Sequence, residues 1–476
     1  KYFCDGEWLT SKSGKTIEIF SPVTDEPLGK IQSLTKEEID EAVEAAYWAQ
    51  LAWQRTPIEK RTRILHLAAD WLRENLTNLT NLLVLEIGKT TAEAEDEVVR
   101  TADLIDYFAE EGRNLRGETL DSDSFPGYEK GKLAIVNRVP LGVILSISPF
   151  NYPINLSASK IAPALVTGNA VVLKPPTQGC LSALHLVEIF AKSGLPPGIL
   201  NTVTGIGSEI GDYLVTHPRI SLISFTGSSL VGEKIARKVG MIPLLFECGG
   251  NNPAIILDDA DFELASREII KGAFAFSGQR CTAIKYVLGL EETIEKLKGR
   301  VLRILGELVK LGDPREKTTK LVGPLINKQA AEEVENRIIK AKVAGAEMVC
   351  GGKRHGLYVE PTILDQVKPH WEIVKVETFG PVLSLIRVKN INEAVNIINS
   401  SLYGLQASVF TKDEGTGIRL AEKLNVGTVQ INGKPQRGPD HFPFLGMKGS
   451  GVGVQGIRYT LEAMTRLKPV VLNKIE

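Results

Sequence analysis

Apolar residues recur at helical spacing in the first third of the chain, after a short β-rich start. Capping boxes begin two of the predicted helices, one formed by Thr35 with Glu38 and one by Thr90 with Glu93. Pro57 begins another helix between these two. The inner faces of the three helices carry these apolar triplets: Ile39, Val43 and Ala46; Leu65, Ala68 and Leu72; Val98, Ala102 and Ile105.

From residue 143 the pattern changes to short apolar runs that alternate with helical stretches such as 182–193 and 230–239. Strands that alternate with helices imply βαβ crossovers and a parallel sheet. The runs predicted as buried strands are 143–148, 170–174, 200–204, 222–227 and 243–247.

A second α/β series follows residue 250, and it predicts another α/β unit. Two further strands, 132–140 and 465–473, have no obvious place in either core. We therefore expect these two strands to form a ribbon through which subunits associate. The elements predicted in the second series are helices at 262–276, 291–308 and 327–343, a strand at 283–290, and shorter strands up to 428–432.

Length and composition narrow the class of protein. A chain of 476 residues is too long for one ordinary core, and 43% hydrophobic residues are typical of a globular α/β enzyme. The net charge of −1 argues against non-specific nucleic-acid binding. No stretch is long and apolar enough to cross a membrane, and the first ten residues lack the apolar region of a signal peptide. The start at Lys1 rather than Met suggests further residues upstream.

The five cysteines are scattered and form no C-x-x-C pair, so neither a metal site nor a disulfide framework is predicted. A reducing cytoplasm is the simplest setting for such a chain.

Three turns fall at the predicted carboxyl ends of the first series of strands, where doubly wound sheets bind ligands. They are "KPPTQ" (174–178), "TGIGSEIG" (204–211) and "FTGSSLVG" (225–232). One such turn alone is most simply an ordinary turn, and the glycine spacing of 204–211 departs from the usual dinucleotide fingerprint. Three on one sheet edge favour a dinucleotide site, with Gly207 and Gly211 close to the cofactor.

Charge near these turns favours NADP over NAD. A carboxylate after the second strand would bind a ribose 2′-hydroxyl and repel a 2′-phosphate. No Asp or Glu occurs from residue 130 to residue 187, and Lys174 ends the strand with Thr177 close behind. A cation with a hydroxyl donor suits a phosphate, so NADP is the predicted cofactor.

A thiol, a carboxylate and an amide lie on three separate loops. Cys281 follows Arg280 in "GQRC", and the guanidinium next to the thiol favours its thiolate form. Glu247 ends a predicted strand in "FECGG", and Asn151 follows another strand in "SPFNYP". Most free cysteines are inert and buried, but these three groups together would serve acyl chemistry on an aldehyde, with the Asn151 amide and the Cys281 N–H facing an oxyanion.

These motifs identify the chain as a member of the aldehyde dehydrogenase superfamily, which it resembles over nearly its whole length. The motifs, in the order of the family, are "SPFNYP", "KPPTQ", "FTGS", "FECGG", "GQRC", "ETFGP" (377–381) and "FPFLGMKGSG" (442–451). Within the superfamily, "GQRCTAIK", "KPPTQG" and "KPQRGPDHFPFLG" (434–446) are most similar to the non-phosphorylating glyceraldehyde-3-phosphate dehydrogenases.

The resemblance implies an α/β fold with a Rossmann-type parallel-sheet cofactor domain (1–121 and 140–247), an α/β catalytic domain (248–454) and an oligomerisation ribbon (122–139 and 455–476). It also implies a homotetramer. Cys281 would be the nucleophile, Asn151 would line the oxyanion hole, and Glu247 would activate the water that releases the product. No metal is required at any step. The residues expected at NADP are Lys174, Thr177, Gly207, Gly211, Ser228, Gly249, Glu377 and Phe379.

The expected substrate carries a phosphate. Arg100 departs from the apolar stripe of its helix, Arg280 abuts Cys281, and Arg437 lies in a Gly/Pro-rich loop. Any one of them alone is more simply a surface or salt-bridged arginine, but the resemblance places all three with Tyr152 around a substrate phosphate, which arginine forks match well. We therefore expect oxidation of D-glyceraldehyde 3-phosphate to 3-phosphoglycerate.

Three alternatives stay open. One is a dehydrogenase of another small aldehyde, such as lactaldehyde or succinate semialdehyde. Another is a non-catalytic binding module that keeps the fold. The last is a phosphorylating enzyme with a Cys–His pair, although no histidine has an evident claim to that role. Cys248 stands where the family usually has leucine, and it is interpreted either as a small apolar side chain or as an oxidation-sensitive thiol.

Overall fold

The computed structural model describes residues 1–127 and 131–473. Its first sheet has six strands, five of them parallel, as the alternating pattern predicted. The sixth strand pairs antiparallel at one edge and comes from near the end of the described chain. In spatial order the strands are Gly451–Val452, Leu244–Glu247, Ile220–Thr226, Val143–Ile147, Ala170–Lys174 and Leu200–Thr202.

The second sheet has seven strands and is parallel except at the edge strand Glu347–Cys350. Its central strands are fully buried, as expected for a parallel sheet covered on both faces. In spatial order the strands are Glu347–Cys350, Thr362–Asp365, Val382–Arg387, Ile284–Gly289, Asn252–Ile256, Gln406–Phe410 and Thr428–Ile431.

The two strands without a place in either core pair with each other. Lys132–Pro140 and Thr465–Asn473 form an antiparallel ribbon, and Glu118–Asp121 adds a third strand. The outer strand is exposed from Arg466 to Asn473, and several of its side chains are apolar. Parts of the predicted ribbon, residues 128–130 and 474–476, lie outside the described residues.

The helices of the first third follow the predicted pattern with one addition. After residue 343, where only short strands were predicted, the described chain has four further helices, at Glu372–Lys375, Ile391–Asn399, Glu414–Lys423 and Ile457–Ala463. Both capping boxes are present, Thr35 with Glu38 and Thr90 with Glu93, and the predicted inner faces are buried. The helix Leu76–Ile87 was not predicted. The helices are Lys36–Trp53, Ile58–Glu74, Leu76–Ile87, Thr91–Gly112, Asn155–Val166, Cys180–Lys192, Gly207–Val215, Ser229–Lys238, Phe262–Phe274, Glu291–Leu308, Lys328–Val343, Glu372–Lys375, Ile391–Asn399, Glu414–Lys423 and Ile457–Ala463, with 3₁₀ turns at Ser122–Ser124 and Ala275–Gly278.

The remaining strands form small hairpins and local pairs, which are Tyr2–Cys4 with Glu7–Leu9, Thr16–Phe20 with Pro27–Gln32, Lys310–Leu311 with Leu321–Val322, Arg354–His355 with Tyr358–Val359, and Tyr403–Gly404 with Met447–Lys448. No helix of the described chain is long and apolar enough to span a membrane.

Candidate active site

Cys281 and Glu247 face each other across the junction of the two sheets. Glu247 is the last residue of its strand in the first sheet, and Cys281 follows the turn Ala275–Gly278 that leads into the second. The Cys281 Sγ lies 3.7 Å from Glu247 Oε1. The predicted nucleophile and base are therefore neighbours, although 34 residues separate them in sequence.

The loop that presents Cys281 has an unusual backbone. Phe276 and Ser277 adopt positive φ angles of 49° and 55°, and Gly278 follows at 68°. A side chain at Gly278 would place its Cβ 2.2 Å from the Gly380 carbonyl oxygen, so only glycine fits this close approach. Lys285 fixes the same contact, because its ammonium donates to the carbonyls of Gly278 and Gly380 at 2.8 and 3.0 Å.

Burial dominates the chemistry of the Cys281 thiol. It raises the pKa of Cys281, the nearby carboxylates of Glu247 and Glu377 raise it further, and Arg280 and Arg437 oppose both effects only in part. The effect of Arg280, which favours the thiolate as expected, is thus smaller than the combined effect of burial and the two carboxylates. The thiol keeps its proton until a base removes it, and the Glu247 carboxylate is the base within reach.

Asn151 lies in the loop between the strand Val143–Ile147 and the helix Asn155–Val166, where it is buried. Its amide nitrogen donates to the Gln279 carbonyl at 3.1 Å, which ties this loop to the loop that carries Cys281. An amide has two N–H donors, and this bond uses one of them. This bond holds the loop of Asn151 against the loop that carries Cys281.

A cavity of about 840 Å³ opens beside the thiol. Its lining includes Cys281, Glu247 and all four residues predicted to bind the substrate phosphate. Within the described residues, no histidine lines it, which leaves Cys281 without the partner that a Cys–His mechanism needs. The four residues from the phosphate prediction are Arg100, Tyr152, Arg280 and Arg437.

The arginines of the cavity are held by acidic and carbonyl groups. Arg437 Nη1 lies 2.7 Å from Glu247 Oε2, and Arg437 also approaches Asp440 at 3.5 Å. Arg100 donates to the Arg437 carbonyl at 3.1 Å and lies 3.3 Å from Asp440. Arg280 donates to Thr282 at 3.1 Å. Asp440 was not predicted; its signal is an acidic residue within the same Gly/Pro-rich loop as Arg437.

Tyr152 is half-buried at the cavity wall and packs on two groups. Its ring lies edge-to-face with Phe276, at 6.4 Å between centroids, and the Lys89 ammonium lies 3.4 Å from the centre of the Tyr152 ring. Lys89 is fully buried and paired with Glu97. A lysine in a "GKTT" turn gives no sign of burial in the sequence, so this cation was missed.

Lys160 is a second buried lysine that the sequence reasoning missed. It lies in the apolar helix Asn155–Val166 and donates to Thr226 Oγ1 at 2.7 Å. Burial lowers the pKa of Lys160 to about 7, and Glu247 opposes that shift. One lysine in an otherwise uncharged helix, "NLSASKIAPALV", was the available signal.

None of the residues predicted at the cofactor, all of which lie within the described chain, lines the 840 Å³ cavity. Six of the eight lie at or after carboxyl ends of strands in the first sheet, and the other two, Glu377 and Phe379, precede the strand Val382–Arg387 of the second sheet. Lys174 ends its strand, is buried, and donates to the Pro175 carbonyl at 2.9 Å; Thr177 is half-buried just beyond it. Ser228 caps the helix Ser229–Lys238 and accepts from the Val231 N–H. Gly207 begins a helix that also contains Gly211, and a Cβ built on either glycine meets no atom within 4 Å.

Glu377 connects the cofactor edge to the thiol. Its carboxylate accepts from the Gly250 N–H at 2.9 Å, and a Cβ on Gly249 would lie 2.4 Å from it. Burial raises the pKa of Glu377 to about 7, while Gly250, Lys285 and Arg337 lower it. Phe379 packs edge-to-face on Phe150, with 5.8 Å between ring centroids.

Two buried hydroxyls test whether this edge suits a dinucleotide. Thr204 Oγ1 and Ser229 Oγ are buried and have no hydrogen-bond partner within the described residues. Both follow carboxyl ends of parallel strands and stand beside the predicted glycine turns. Unpaired buried hydroxyls and open space at Gly207 and Gly211 fit a polar ligand that approaches the backbone closely.

Cys248 belongs to the core of the first sheet. It is buried, and its sulfur would lie 2.6 Å from a Cβ built on Gly232. Burial raises the pKa of Cys248 to about 12. These contacts support its interpretation as a small apolar side chain; its sensitivity to peroxide stays a prediction, and unchanged sensitivity of Cys248→Leu would remove it.

Comparisons with known proteins agree with the geometry. Residues 8–470 match the aldehyde dehydrogenase family. The chain is 48% identical to an NADP-dependent glyceraldehyde-3-phosphate dehydrogenase of Streptococcus equinus, covering 99% of this chain and 98% of the relative. It is 36% identical to a lactaldehyde dehydrogenase of Methanococcus maripaludis, covering 99% of this chain and 100% of the relative.

Among solved structures, the NADP-dependent glyceraldehyde-3-phosphate dehydrogenase of Bacillus halodurans C-125, complexed with NADP, is similar at a TM-score of 0.97. It is 47% identical, and the match covers 99% of this chain and 98% of that chain. Together with the thiol, carboxylate and amide at the junction of two α/β sheets, these matches establish that the chain belongs to the aldehyde dehydrogenase family.

Proposed function

We propose that this protein oxidises D-glyceraldehyde 3-phosphate to 3-phosphoglycerate, irreversibly and with NADP. The observation that carries the proposal is a single cavity that holds the Cys281–Glu247 pair together with three arginines. The names of the most similar proteins support the same substrate and cofactor.

The first step is proton transfer from the Cys281 thiol. Glu247 Oε1, 3.7 Å from the sulfur, accepts the proton and leaves a thiolate. The thiolate adds to the aldehyde carbon and forms a thiohemiacetal. The second amide N–H of Asn151, with the Cys281 N–H, stabilises the negative charge that develops on the oxygen.

Bound NADP supplies an acceptor for the hydride that leaves the aldehyde carbon, so that a thioester remains on Cys281. Glu247 first passes the thiol proton to solvent. Its carboxylate then removes a proton from water, and the resulting hydroxide attacks the thioester carbon and releases the acid from the sulfur. Hydrolysis needs no inorganic phosphate. Because a carboxylic acid is far more stable than a thioester, this last step makes the overall reaction irreversible.

The cavity supports a substrate with a phosphate tail. Arg100, Arg280 and Arg437 surround the space next to the sulfur, and guanidinium groups bind phosphate oxygens in pairs. Tyr152 adds a hydroxyl donor. A neutral aldehyde would leave this cationic wall without a counter-charge, so we expect it to bind weakly.

The residues proposed to hold NADP come from turns after strands of the first sheet and from the loop of Glu377 and Phe379. Lys174 and Thr177 would face the 2′-phosphate, and Ser228, at a helix N-terminus, the pyrophosphate. Gly207, Gly211 and Gly249 would allow close approach of the backbone, and Glu377 with Phe379 would contact the nicotinamide ribose. The buried unpaired hydroxyls of Thr204 and Ser229 support this placement.

We further propose that the protein is a cytoplasmic homotetramer. Each subunit would consist of a cofactor domain (1–121 and 140–247), a catalytic domain (248–454) and an oligomerisation ribbon (122–139 and 455–476). The two sheets and the paired strands Lys132–Pro140 and Thr465–Asn473 support this division. Two short strands cross its bounds, because Glu118–Asp121 joins the ribbon and Gly451–Val452 joins the first sheet. The exposed apolar side chains of the strand Thr465–Asn473 support association through its edge.

A substrate panel tests the proposal. We expect kcat/KM with NADP to be at least ~100-fold higher for D-glyceraldehyde 3-phosphate than for lactaldehyde, succinate semialdehyde or propanal, because only the first offers a phosphate to the arginines. Omission of inorganic phosphate should leave the rate unchanged. Faster turnover of any of the other three aldehydes would assign the protein to another branch of the family.

A further inference from the structure

Two glutamates on one helix reach the two loops that carry the reacting groups. Glu93 and Glu97 lie one turn apart on the helix Thr91–Gly112, so their side chains emerge on the same face. Neither was predicted to have a role beyond the capping box of Glu93. Each carboxylate accepts hydrogen bonds from backbone N–H groups of a different loop.

Glu93 holds the loop of the nucleophile. Its Oε1 accepts from the Phe276 N–H at 2.7 Å, and its Oε2 accepts from the Thr90 hydroxyl at 2.8 Å. The first bond lies where the chain enters the left-handed region, at φ 49° for Phe276 and 55° for Ser277. Residues other than glycine persist there only when their surroundings fix them.

Other contacts fix the same loop at the neighbouring residues. Ser277 donates to the Gly323 carbonyl at 3.0 Å and accepts from the Gly323 N–H at 3.0 Å. Gln279 accepts from the Ile326 N–H at 2.9 Å. Glu93 supplies the corresponding restraint from the side of the cavity, which it lines.

Glu97 holds the loop of the oxyanion site. Its Oε1 accepts from the N–H groups of Ile154 and Asn155 at 3.0 and 3.1 Å, and its Oε2 pairs with the buried Lys89. Those N–H groups begin the helix that follows Asn151 and Tyr152. Lys89 in turn lies over the Tyr152 ring.

We propose that Glu93 and Glu97 are positioning residues that fix the loop of Asn151 and Tyr152 relative to the loop of Cys281. The helix sets the spacing between the two carboxylates, and the carboxylates transmit that spacing to the backbone of both loops. Neither glutamate exchanges a proton in this arrangement. The proposal rests on the proposed function, because it assigns these residues to the same thiol chemistry.

Loss of either carboxylate should change the orientation of the reacting groups relative to each other. Displacement of a reacting group by about 1 Å can reduce a rate ~100-fold. Loss of the Glu93 bond should therefore slow every reaction of the Cys281 sulfur by a similar factor, whatever the aldehyde. It should leave binding of NADP unchanged, since the cofactor edge is held by other residues.

Glu93→Ala, Glu93→Gln and Glu93→Asp test this, with Glu95→Ala as the matched control, because Glu95 is exposed on the same helix. The readouts are kcat and KM for triose phosphate and for glyceraldehyde, alkylation of Cys281 by iodoacetamide in the NADP-loaded enzyme, the NADP Kd, and Tm. We expect Glu93→Ala to lower kcat and the alkylation rate ~10- to 100-fold for both aldehydes, with KM and Kd within about twofold.

Glu93→Gln should recover most of the rate, since its amide oxygen can still accept from the Phe276 N–H. Glu93→Asp keeps a carboxyl group, but its shorter side chain moves the acceptor away from the Phe276 N–H, so this variant should also be slow. It measures the same effect if the alanine variant fails to fold. Rates within twofold of Glu95→Ala in a folded Glu93→Ala or Glu93→Asp would overturn the proposal. So would a glutamine variant as slow as alanine.

The second glutamate has its own variant. The double variant Lys89→Met with Glu97→Gln removes the buried pair but keeps an oxygen that can accept from Ile154 and Asn155, so its kcat should fall less than ~10-fold. The double variant Lys89→Met with Glu97→Ala removes that oxygen as well, so its kcat should fall a further ~10-fold. Equal rates for the two double variants would overturn the role of Glu97. Alkylation reports on the loop of Cys281 without any aldehyde. A wrong assignment of the substrate, which would show as slow turnover of triose phosphate by the wild type, can therefore be distinguished from a failure of the positioning proposal.

Discussion

Arg437 and Glu247 form a largely buried ion pair in the wall of the cavity, with 2.7 Å between Arg437 Nη1 and Glu247 Oε2. The other carboxylate oxygen of Glu247 faces the Cys281 sulfur at 3.7 Å. The side chains are only 14% and 3% exposed. One carboxylate therefore joins the group proposed to hold the substrate phosphate to the group proposed to react with its aldehyde.

The Arg437→Ala variant should lose binding of the phosphorylated substrate and some stability. We expect KM for D-glyceraldehyde 3-phosphate to rise at least ~10-fold while KM for unphosphorylated glyceraldehyde changes less than twofold, since only the former uses the guanidinium. Loss of one partner of a buried pair should lower the free energy of unfolding by about 3 kcal/mol, measured by urea denaturation. Equal KM changes for both aldehydes would remove Arg437 from the phosphate site.

The Glu247→Gln variant should stop after the first half of the reaction. Without a base for water, the thioester on Cys281 should persist, and steady-state turnover should fall ~10²- to 10⁴-fold. Stopped-flow absorbance should then show a burst of at most one NADPH per subunit, because the trapped thioester blocks a second turnover. The burst itself should be slower than in the wild type, because an amide cannot accept the thiol proton. Fast steady-state turnover in this variant would show that another group activates the water.

The Lys174→Ala variant should reduce the preference of the enzyme for NADP over NAD. Removing the cation at the end of the strand Ala170–Lys174 should raise KM for NADP at least ~10-fold and leave KM for NAD within about threefold. Lys192→Ala, at an exposed lysine in the neighbouring helix Cys180–Lys192, is the control. An unchanged ratio of the two KM values would place the 2′-phosphate elsewhere.

Binding of NADP should weaken in mild acid through Glu377. Burial raises the pKa of this carboxyl to about 7, so it gains a proton as pH falls through 7, and only the ionised form can accept from both ribose hydroxyls. In the free protein, the protonated form of Glu377 is favoured by folding. Its stabilising contribution is therefore complete below the unfolded pKa of about 4.5 and is lost as pH rises through about 7.

Calorimetry of NADP binding between pH 6 and 8 measures the first effect. We expect Kd to rise about tenfold at the acid end of this range, and Glu377→Gln to remove that part of the pH dependence while the part due to the 2′-phosphate remains. Identical pH profiles for the wild type and Glu377→Gln would show that Glu377 does not control cofactor binding.

The sequence predicted local features of the fold well, because they follow from neighbours along the chain. Both capping boxes depend on residues three apart, and the parallel strands depend on short apolar runs between helices. The helix Leu76–Ile87 was missed because only Asn75 separates it from the preceding helix, with no proline or glycine to mark a new element.

The candidate site was predicted in part for the same reason. Cys281, Glu247 and Asn151 stand next to strand and turn signals, and the family motifs that contain them led us to expect that they act together. The pair of Arg437 with Glu247 joins residues 190 apart and has no local signature. The buried charges of Lys89, Glu97 and Lys160 likewise depend on tertiary packing, which turns ordinary polar positions into interior ones.

The most direct test of the account is the Cys281→Ser variant, assayed for NADPH with D-glyceraldehyde 3-phosphate. A hydroxyl at this position cannot be ionised by Glu247 as a thiol can, so we expect NADPH formation to fall at least ~10³-fold while Tm and the NADP Kd stay near those of the wild type. Reduction of NADP at the wild-type rate by this variant would contradict a covalent bond to the sulfur.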